Sequence, residues 1–191
     1  MKPVYGDHHP TELSPPVPRE EVHNRRIAVN GFVRQDGLYD IEAELTDHKT
    51  YAFPSDFRGA VTPDMPVHHM KVRITITPDF EITAAEAITI AGPYEVCPTA
   101  NDVFDKLVGL TIGPGWRRRV AAAIAGRHGC THITELMGPV ATIAYQTRYG
   151  EMARRTRTPD NNSASQHKSA TANTRANNAL VNSCVGYAID D

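Results

Sequence analysis

Lys71-Val72-Arg73-Ile74-Thr75-Ile76-Thr77 decides the fold, because charged or hydroxyl side chains alternate with branched apolar ones at every position. Successive side chains of a β-strand point to opposite faces, so this stretch predicts a strand with one face on a core. Pro78-Asp79 then turns the chain. Residues 80–90 predict a second strand, which ends at the helix-breaking Gly92-Pro93.

Two further strands are predicted upstream of this stretch. Residues 25–34 alternate in part, Gln35-Asp36-Gly37 is a strong hairpin turn signal, and residues 38–45 form the return strand. The return strand should bury Tyr39, Ile41, Ala43 and Leu45. Its acidic residues Asp40, Glu42 and Glu44 then lie outside, so the carboxylate-rich hairpin Asp36–Asp47 is interpreted as a solvated face rather than a catalytic dyad. A proline-containing loop follows.

The period of the apolar residues becomes helical after Cys97-Pro98. Helices are predicted at about residues 99–109, 116–125 and 131–149, and Gly138-Pro139 should kink or divide the third. Strands first and helices afterwards predict an α+β fold: an antiparallel sheet of about four strands followed by about three helices packed on one face.

Composition divides the chain into four parts. Residues 1–22 are a proline-rich N-terminal arm, and residues 23–149 form a single α+β domain. Residues 150–180 are polar, and we expect them to be disordered. Residues 181–191 are apolar again and predict a short C-terminal element that returns to the domain.

The overall composition excludes several classes of function. The chain has 191 residues and a formal net charge of −2, which gives no electrostatic reason to bind nucleic acid. No apolar run approaches the ~18 residues of a membrane span, and no signal peptide is visible, so we expect a cytoplasmic protein without a membrane partner. Its three cysteines are too few for a disulfide framework and indicate thiols or metal ligands in a reducing compartment.

Cys130 and His132 are the first candidate functional residues. A thiol at a helix start has its pKa lowered by the helix dipole, and a neighbouring imidazole can share a metal with it or take its proton. The alternative is that Cys130 is a small buried apolar residue and His132 a satisfied polar one. Cys97 also lies at a predicted helix start, and it has the same two interpretations.

His68-His69 precedes the clearest strand, where only one of the two rings can face inward. His68 is a third candidate ligand, and the alternative is that this pair lies at the surface of the domain. The three arginines of Trp116-Arg117-Arg118-Arg119 point in different directions around a helix and predict a solvated face, with a secondary anion-binding option near Gly113-Pro114-Gly115.

The chain has no Gly-x-Ser-x-Gly, P-loop or His-Glu-x-x-His motif, so serine hydrolase, nucleotide triphosphatase and zincin functions lack support.

Several motifs together carry a resemblance to a known family: His23-Asn24-Arg25-Arg26-Ile27, residues 36–43, residues 68–73, Cys97, Leu107-Val108-Gly109-Leu110, Gly115-Trp116 and residues 129–136. In this order, from about residue 23 to residue 149, they resemble a bacterial family of domains of unknown function, number 2889 in that series. The family name implies no activity. The family usually reads His-Asp-Met where this chain has His68-His69-Met70, and it tends to place a His after the cysteine where Cys184 is followed by Val185.

A second, fainter resemblance covers residues 66–149. Two strands, a cysteine, a helix and then a Cys/His pair that opens a helix are similar to the NifU/IscU-type iron–sulfur scaffold. That resemblance implies that Cys97 and Cys130 are thiolate ligands and His132 an imidazole ligand. The first cysteine of the scaffold family has no counterpart here, although His68 or His69 lies near that place.

The leading hypothesis is a metal- or cluster-binding accessory protein of a bacterial metabolic pathway. Its metal ligands would be Cys97, Cys130, His132 and His68, and its cofactor zinc, iron or an iron–sulfur cluster. A first alternative is a metal-free small-molecule enzyme in which Cys130 is nucleophile or acid and His132 is base. A second is a structural or partner-binding module with packed cysteines. The sequence leaves open the substrate, the partner protein, the oligomeric state and whether the chain is an enzyme at all.

Overall fold

The computed structural model describes residues 12–156 and contains a four-stranded antiparallel sheet. Its strands, in the spatial order β1-β2-β5-β6, are β1 (His23–Val33), β2 (Tyr39–Lys49), β5 (His68–Ile76) and β6 (Ile82–Ala91). The connection between β2 and β5 holds a two-stranded ribbon of β3 (Phe53–Ser55) and β4 (Gly59–Val61), where the sequence predicted only a loop. Three-residue strands are too short to show an alternation, so the pattern did not reveal them.

The helical elements follow the sheet in the chain. They are a 3-10 helix (Cys97–Leu107), α1 (Trp116–Ile124), a short 3-10 turn (Gly126–His128) and α2 (Thr131–Thr156). The predicted α+β class is confirmed, with its four-stranded sheet before its helices. The first helix differs from the predicted α-helix in being 3-10, since Thr99, Asn101 and Asp102 are short polar residues that favour local turns over an α-helix.

α2 is longer and less interrupted than predicted. It continues through Pro139 as one helix, so Gly138-Pro139 does not divide it, and it extends past residue 149 to Thr156, the last described residue. Glu151 pairs with Arg154 at 2.7 Å and with Arg155, one turn along the same helix. Such pairs stabilise a helix end that carries little apolar periodicity, which explains why the sequence pattern missed the last turns.

The core lies between the inner face of the sheet and the helices. Its fully buried side chains are Ile41, Leu45, Met70, Ile74, Phe104, Leu107, Leu136 and Met137. α2 approaches the edge strand β1 so closely that a Cβ atom on Gly31 would lie 1.8 Å from Oγ1 of Thr147. Only glycine leaves room for this contact, which sets how closely the middle of α2 packs against β1.

The outer face of the sheet is charged, as the alternation predicted for Glu42 and Glu44. Arg73 on β5 donates hydrogen bonds to Glu42 on β2 and Glu86 on β6, both at 2.7 Å. Lys71 lies 3.4 Å from Glu44. All of these side chains are 40% exposed or more, so they form a solvated ladder of ion pairs.

The remaining predictions concern segments at the two ends of the domain. Residues 12–22 contain no helix or strand and are exposed. The first part of the proline-rich arm, the polar segment beyond Thr156 and the predicted C-terminal element with Cys184 lie outside the described residues. Between residues 12 and 156, none of the helices combines the length and apolar character that crossing a membrane requires.

Candidate functional site

A row of three polar residues crosses the inner face of the sheet at one end. Arg25 on β1 is the register partner of Asp47 on β2, and Asp47 is the register partner of His68 on β5. Because side chains directly opposite one another in an antiparallel sheet share a face, all three point toward the helices. The first turn of α2 lies above this row and brings His132 and Glu135 to it.

Asp47 is the centre of the site, and its side chain is fully buried. Arg25 donates two parallel hydrogen bonds to its carboxylate, from Nε to Oδ1 and from Nη2 to Oδ2, each 2.7 Å long. The remaining Nη1 of Arg25 pairs with Glu135 on α2. This bidentate pairing is the strong form of an arginine–carboxylate contact, so the orientation of the Asp47 carboxylate is fixed.

Two imidazoles lie on the other side of the Asp47 carboxylate. Nδ1 of His68 is 3.0 Å from Oδ2 of Asp47, and Nε2 of His132 is 3.7 Å from the same oxygen. The two rings contact each other with centroids 3.8 Å apart and planes tilted by 32°. One ligand atom from each of Asp47, His68 and His132 can be chosen so that all three lie within 4.8 Å of one another.

Burial and charge set the protonation of this cluster. Burial lowers the pKa of His68, and the nearby His132 lowers it further, against the opposing effect of Asp47. Burial likewise lowers the pKa of His132, with Arg25 adding to the effect. Burial alone would raise the pKa of Asp47, but hydrogen bonding and charge from Arg25 hold it below its usual value. At neutral pH His68 and His132 are therefore neutral imidazoles beside an ionised carboxylate.

Cys130 lies immediately before α2 and contacts the far side of His132. Its Sγ is 3.7 Å from Nδ1 of His132, while Nε2 of the same ring faces Asp47. His132 therefore lies between a thiol and a carboxylate. The structure brings together Cys130 and His132, as their spacing suggested, and it adds His68 from the sheet.

Cys97 and His69 have other surroundings. Cys97 begins the 3-10 helix and packs against the end of β6, where a Cβ atom on Gly92 would lie 3.0 Å from its Sγ. Within residues 12–156, Cys97 is not in the group of ligand atoms that share the 4.8 Å limit. His69 lies on the outer face of the sheet, with Nε2 2.5 Å from Oε1 of Glu44.

The interpretation of the Asp36–Asp47 hairpin as a solvated face is wrong for Asp47, whose side chain is fully buried. Sequence reasoning also missed Arg25 and Glu135 as site residues. The signal for Asp47 was present, because it has the same parity along β2 as the buried Tyr39 and Leu45. An acidic residue in phase with a buried apolar row predicts a buried carboxylate that needs a partner. Arg25 and Glu135 had no comparable signal, since their meeting depends on how α2 lies over the sheet.

The fold and this cluster define an α+β protein with a buried carboxylate–imidazole site beside a thiol. The chain belongs to the family described as "Protein of unknown function (DUF2889)", which matches residues 23–146. The family resemblance expected from the sequence motifs is thereby confirmed. No curated protein and no solved structure matches the chain, and the resemblance to the iron–sulfur scaffold is not shown.

Proposed function

We propose that the protein binds a divalent transition-metal ion at His68 and His132, with the Asp47 carboxylate as the acidic member of the site. The observation that carries the proposal is the convergence of these three ligand atoms within 4.8 Å from three separate elements. A metal ion needs such convergence because each of its bonds to nitrogen or oxygen is only about 2.0–2.2 Å long.

The protonation of the cluster fits this role. A metal takes the neutral form of histidine and the ionised form of aspartate, so no proton has to be removed near neutral pH. Arg25 donates one hydrogen bond to each oxygen of Asp47. A carboxylate offers about four acceptor positions, so each oxygen keeps a lone pair for a metal ion. Nδ1 of His68 and Oδ2 of Asp47 are 3.0 Å apart, a separation at which one ion can bind both atoms when the proton of the ring is on Nε2.

Cys130 can supply a thiolate ligand on the other side of His132. Two ligands of a tetrahedral zinc ion, one sulfur and one nitrogen, are about 3.6 Å apart for bonds of about 2.3 and 2.1 Å. The observed distance from Sγ to Nδ1 is 3.7 Å. His132 thus has a candidate partner at each nitrogen, and a single ion uses one of these nitrogens.

The donor set favours zinc or iron(II) over calcium or magnesium, because imidazole and thiolate are softer ligands than the oxygens those two ions prefer. The metal would supply Lewis acidity or hold a small ligand at its open position. A role as an accessory protein in a bacterial metabolic pathway is part of this proposal. The family has no described activity, so this part of the proposal rests on the cluster of ligand atoms alone.

Metal content and cobalt(II) titration test the proposal. The full chain, purified without chelators, is expected to carry about one zinc or iron per chain, and the apoprotein should bind cobalt(II) with a visible spectrum. His68→Gln and His132→Gln should each weaken binding at least tenfold. His69→Gln is the matched control, because the neighbouring ring lies on the outer face.

The variant Cys130→Ser separates the two sides of His132. If the variant loses the sulfur-to-cobalt charge-transfer band but keeps its affinity for cobalt(II), Cys130 is a ligand and the other ligands provide most of the affinity. An unchanged spectrum would assign the metal to the Asp47 side. Absence of metal from the wild-type protein, together with equal cobalt affinity in His69→Gln and His132→Gln, contradicts the proposal.

A second candidate function is thiol chemistry at Cys130, and one observation favours it. His132 lies between the Cys130 thiol and the Asp47 carboxylate, at 3.7 Å from each. In that order the imidazole accepts the thiol proton and the carboxylate stabilises the imidazolium that forms. Distances somewhat longer than hydrogen bonds are common before substrate binds.

Alkylation by iodoacetamide tests the thiol function in the metal-free protein. Cys130 should be alkylated faster than Cys97 near neutral pH. His132→Gln should lower the alkylation rate of Cys130 and leave that of Cys97 unchanged. Peptide mass spectrometry measures both rates. Equal rates for the two thiols in the wild type would exclude an activated Cys130 and leave the metal proposal in place.

A further inference from the structure

A second site lies at the opposite end of the sheet from Asp47. The strand β5 runs from His68 in the first site toward the turn at Pro78–Phe80, about 30 Å further on for its nine residues and the turn. There an open groove of about 770 Å³ is bounded by the β5–β6 turn, the loop before α1 and the side of α2. We propose that this groove binds a small planar aromatic anion, a ring that carries a carboxylate or phosphate group.

Three aromatic side chains form one wall of the groove. The Phe80 ring contacts Tyr145 with centroids 4.4 Å apart and Tyr149 with centroids 5.9 Å apart. Tyr145 and Tyr149, one turn apart on α2, have nearly parallel rings, tilted by 6°. All three are half-buried, so part of each ring faces the groove and offers a stacking surface to a planar ligand.

Two arginines on this groove have no acidic partner within residues 12–156. Arg119 folds back from α1 and donates from Nη1 to the carbonyl of Pro114 and from Nη2 to that of Thr111, both at 2.7 Å. Arg148 donates from Nε to the carbonyl of Pro78 at 3.2 Å. Among the described residues neither forms a salt bridge, whereas Arg25, Arg34, Arg73, Arg154 and Arg155 all do.

The charge of the groove is therefore available to a ligand. Asp79 also lines it but makes no salt bridge with either arginine among the described residues, which leaves one net positive charge. A guanidinium fixed by backbone carbonyls keeps other N–H groups free for a planar carboxylate or a phosphate. Two such groups beside an aromatic wall match a ligand with a ring at one end and an anion at the other.

The backbone at Phe80 is a third, independent observation. Phe80 has φ = +66°, and it is the one residue other than glycine in the described chain with positive φ. The turn is closed by hydrogen bonds from the Phe80 amide to the Thr77 carbonyl at 3.0 Å and from the Thr77 amide to Glu81 at 2.9 Å. Glycine or asparagine adopts this conformation at lower cost. The aromatic ring is thus held here against backbone preference, over the groove.

Binding of phenyl phosphate to the full-length protein tests the proposal, with inorganic phosphate and phenol as the two halves of the probe. Titration calorimetry and the NMR signals of the tyrosine rings are the measurements. Phenyl phosphate or benzoate is expected to bind at least tenfold more tightly than either half, and to shift the signals of Tyr145 and Tyr149. Equal affinity for inorganic phosphate would reduce the site to general anion binding and overturn the proposal.

Variants assign the binding to this groove. Arg148→Gln and Arg119→Gln should each weaken phenyl phosphate binding about tenfold, whereas Arg118→Gln on the exposed side of α1 should not change it. Phe80→Asn removes the ring but keeps a residue that tolerates positive φ. It should weaken the binding of phenyl phosphate and leave the binding of inorganic phosphate unchanged. Equal losses in Arg148→Gln and Arg118→Gln would show nonspecific attraction and contradict the proposal. The metal content of all these variants should equal that of the wild type, which separates this site from the first.

Discussion

The two faces of the sheet carry similar rows of charged residues in very different surroundings. On the inner face Arg25, Asp47 and His68 occupy adjacent strands, and the Asp47 side chain has no exposed area. On the outer face Arg73 bridges Glu42 and Glu86 by bonds of the same 2.7 Å length, but these side chains are 40 to 60% exposed. Equal hydrogen-bond lengths thus occur with unequal burial.

This difference separates stabilisation from function. An exposed ion pair contributes about 0–1 kcal/mol, because water already solvates both charges. A buried carboxylate must be desolvated, so each of its contacts has to be provided by the fold. The outer ladder solubilises an open sheet face, whereas the inner row maintains an ionised group beneath a helix. The second arrangement is costly and is the one that positions neutral imidazoles.

Removing the central carboxylate should have the largest effect. Asp47→Asn leaves the Arg25 guanidinium without its bidentate acceptor, and we expect a loss of about 3 kcal/mol in the free energy of unfolding. Urea denaturation followed by circular dichroism measures it. Arg73→Gln is the control on the outer face and should cost less than about 1 kcal/mol. Similar losses for both variants would show that burial does not distinguish the two rows.

Acidification should destabilise the inner row before the outer one. His68 and His132 have pKa values below 6.5 in the folded protein, chiefly because they are buried. The unfolded chain therefore takes up protons first, and stability is full above about pH 6.5 and falls as the pH decreases below it. The lowered pKa of Asp47 adds a separate loss below about pH 4.

Urea midpoints between pH 8 and pH 5 measure this dependence. The double variant His68→Gln/His132→Gln should flatten the slope between pH 6.5 and pH 5. Arg73→Gln on the outer face removes no group that titrates in this range and should leave the slope unchanged. A flat wild-type profile over that range would mean that the two imidazoles are not held neutral by the fold.

The contact between Arg25 and Glu135 should show the smallest effect within the inner row. Both side chains are partly exposed, at 32% and 49%. We expect Glu135→Gln to cost about 0.5 kcal/mol, an amount that decreases in 1 M salt because exposed charges are screened. Thermal melts at low and high salt provide the measurement. A loss as large as that of Asp47→Asn would make Glu135 part of the buried centre rather than its rim.

Much of the fold was readable from the sequence because its elements alternate with clear periods. The strand from Lys71 to Thr77 and the return strand with Tyr39 and Leu45 bury the side chains that the alternation selects. Three features could not be predicted in this way: the 3-10 helix, the β3–β4 ribbon and the last turns of α2. Their conformation depends on residue propensity and local polar contacts rather than on an apolar period. Gly138-Pro139 was overestimated as a breaker, because the core contacts of Leu136 and Met137 hold the helix together.

The site was only half readable. His68, Cys130 and His132 were identified as chemical candidates, whereas Cys97 was grouped with them on the coincidence of two helix starts. Which candidates meet depends on strand register and on the position of α2, and neither has a local signature. Asp47 could have been found from parity alone, because an acid in a buried row must be satisfied.

The contacts of Arg25 join parts of the chain that are far apart in sequence. It meets Asp47 across 22 residues but Glu135 across 110. Closing the longer loop costs more entropy and contributes to a high contact order. During synthesis the strands of the sheet are complete before residues 130–135 leave the ribosome, so the site can form only after the first turn of α2 has been made. An ion could then bind only after β1 and α2 have packed against each other, so ion binding would mark the assembly of the first and last parts of the domain.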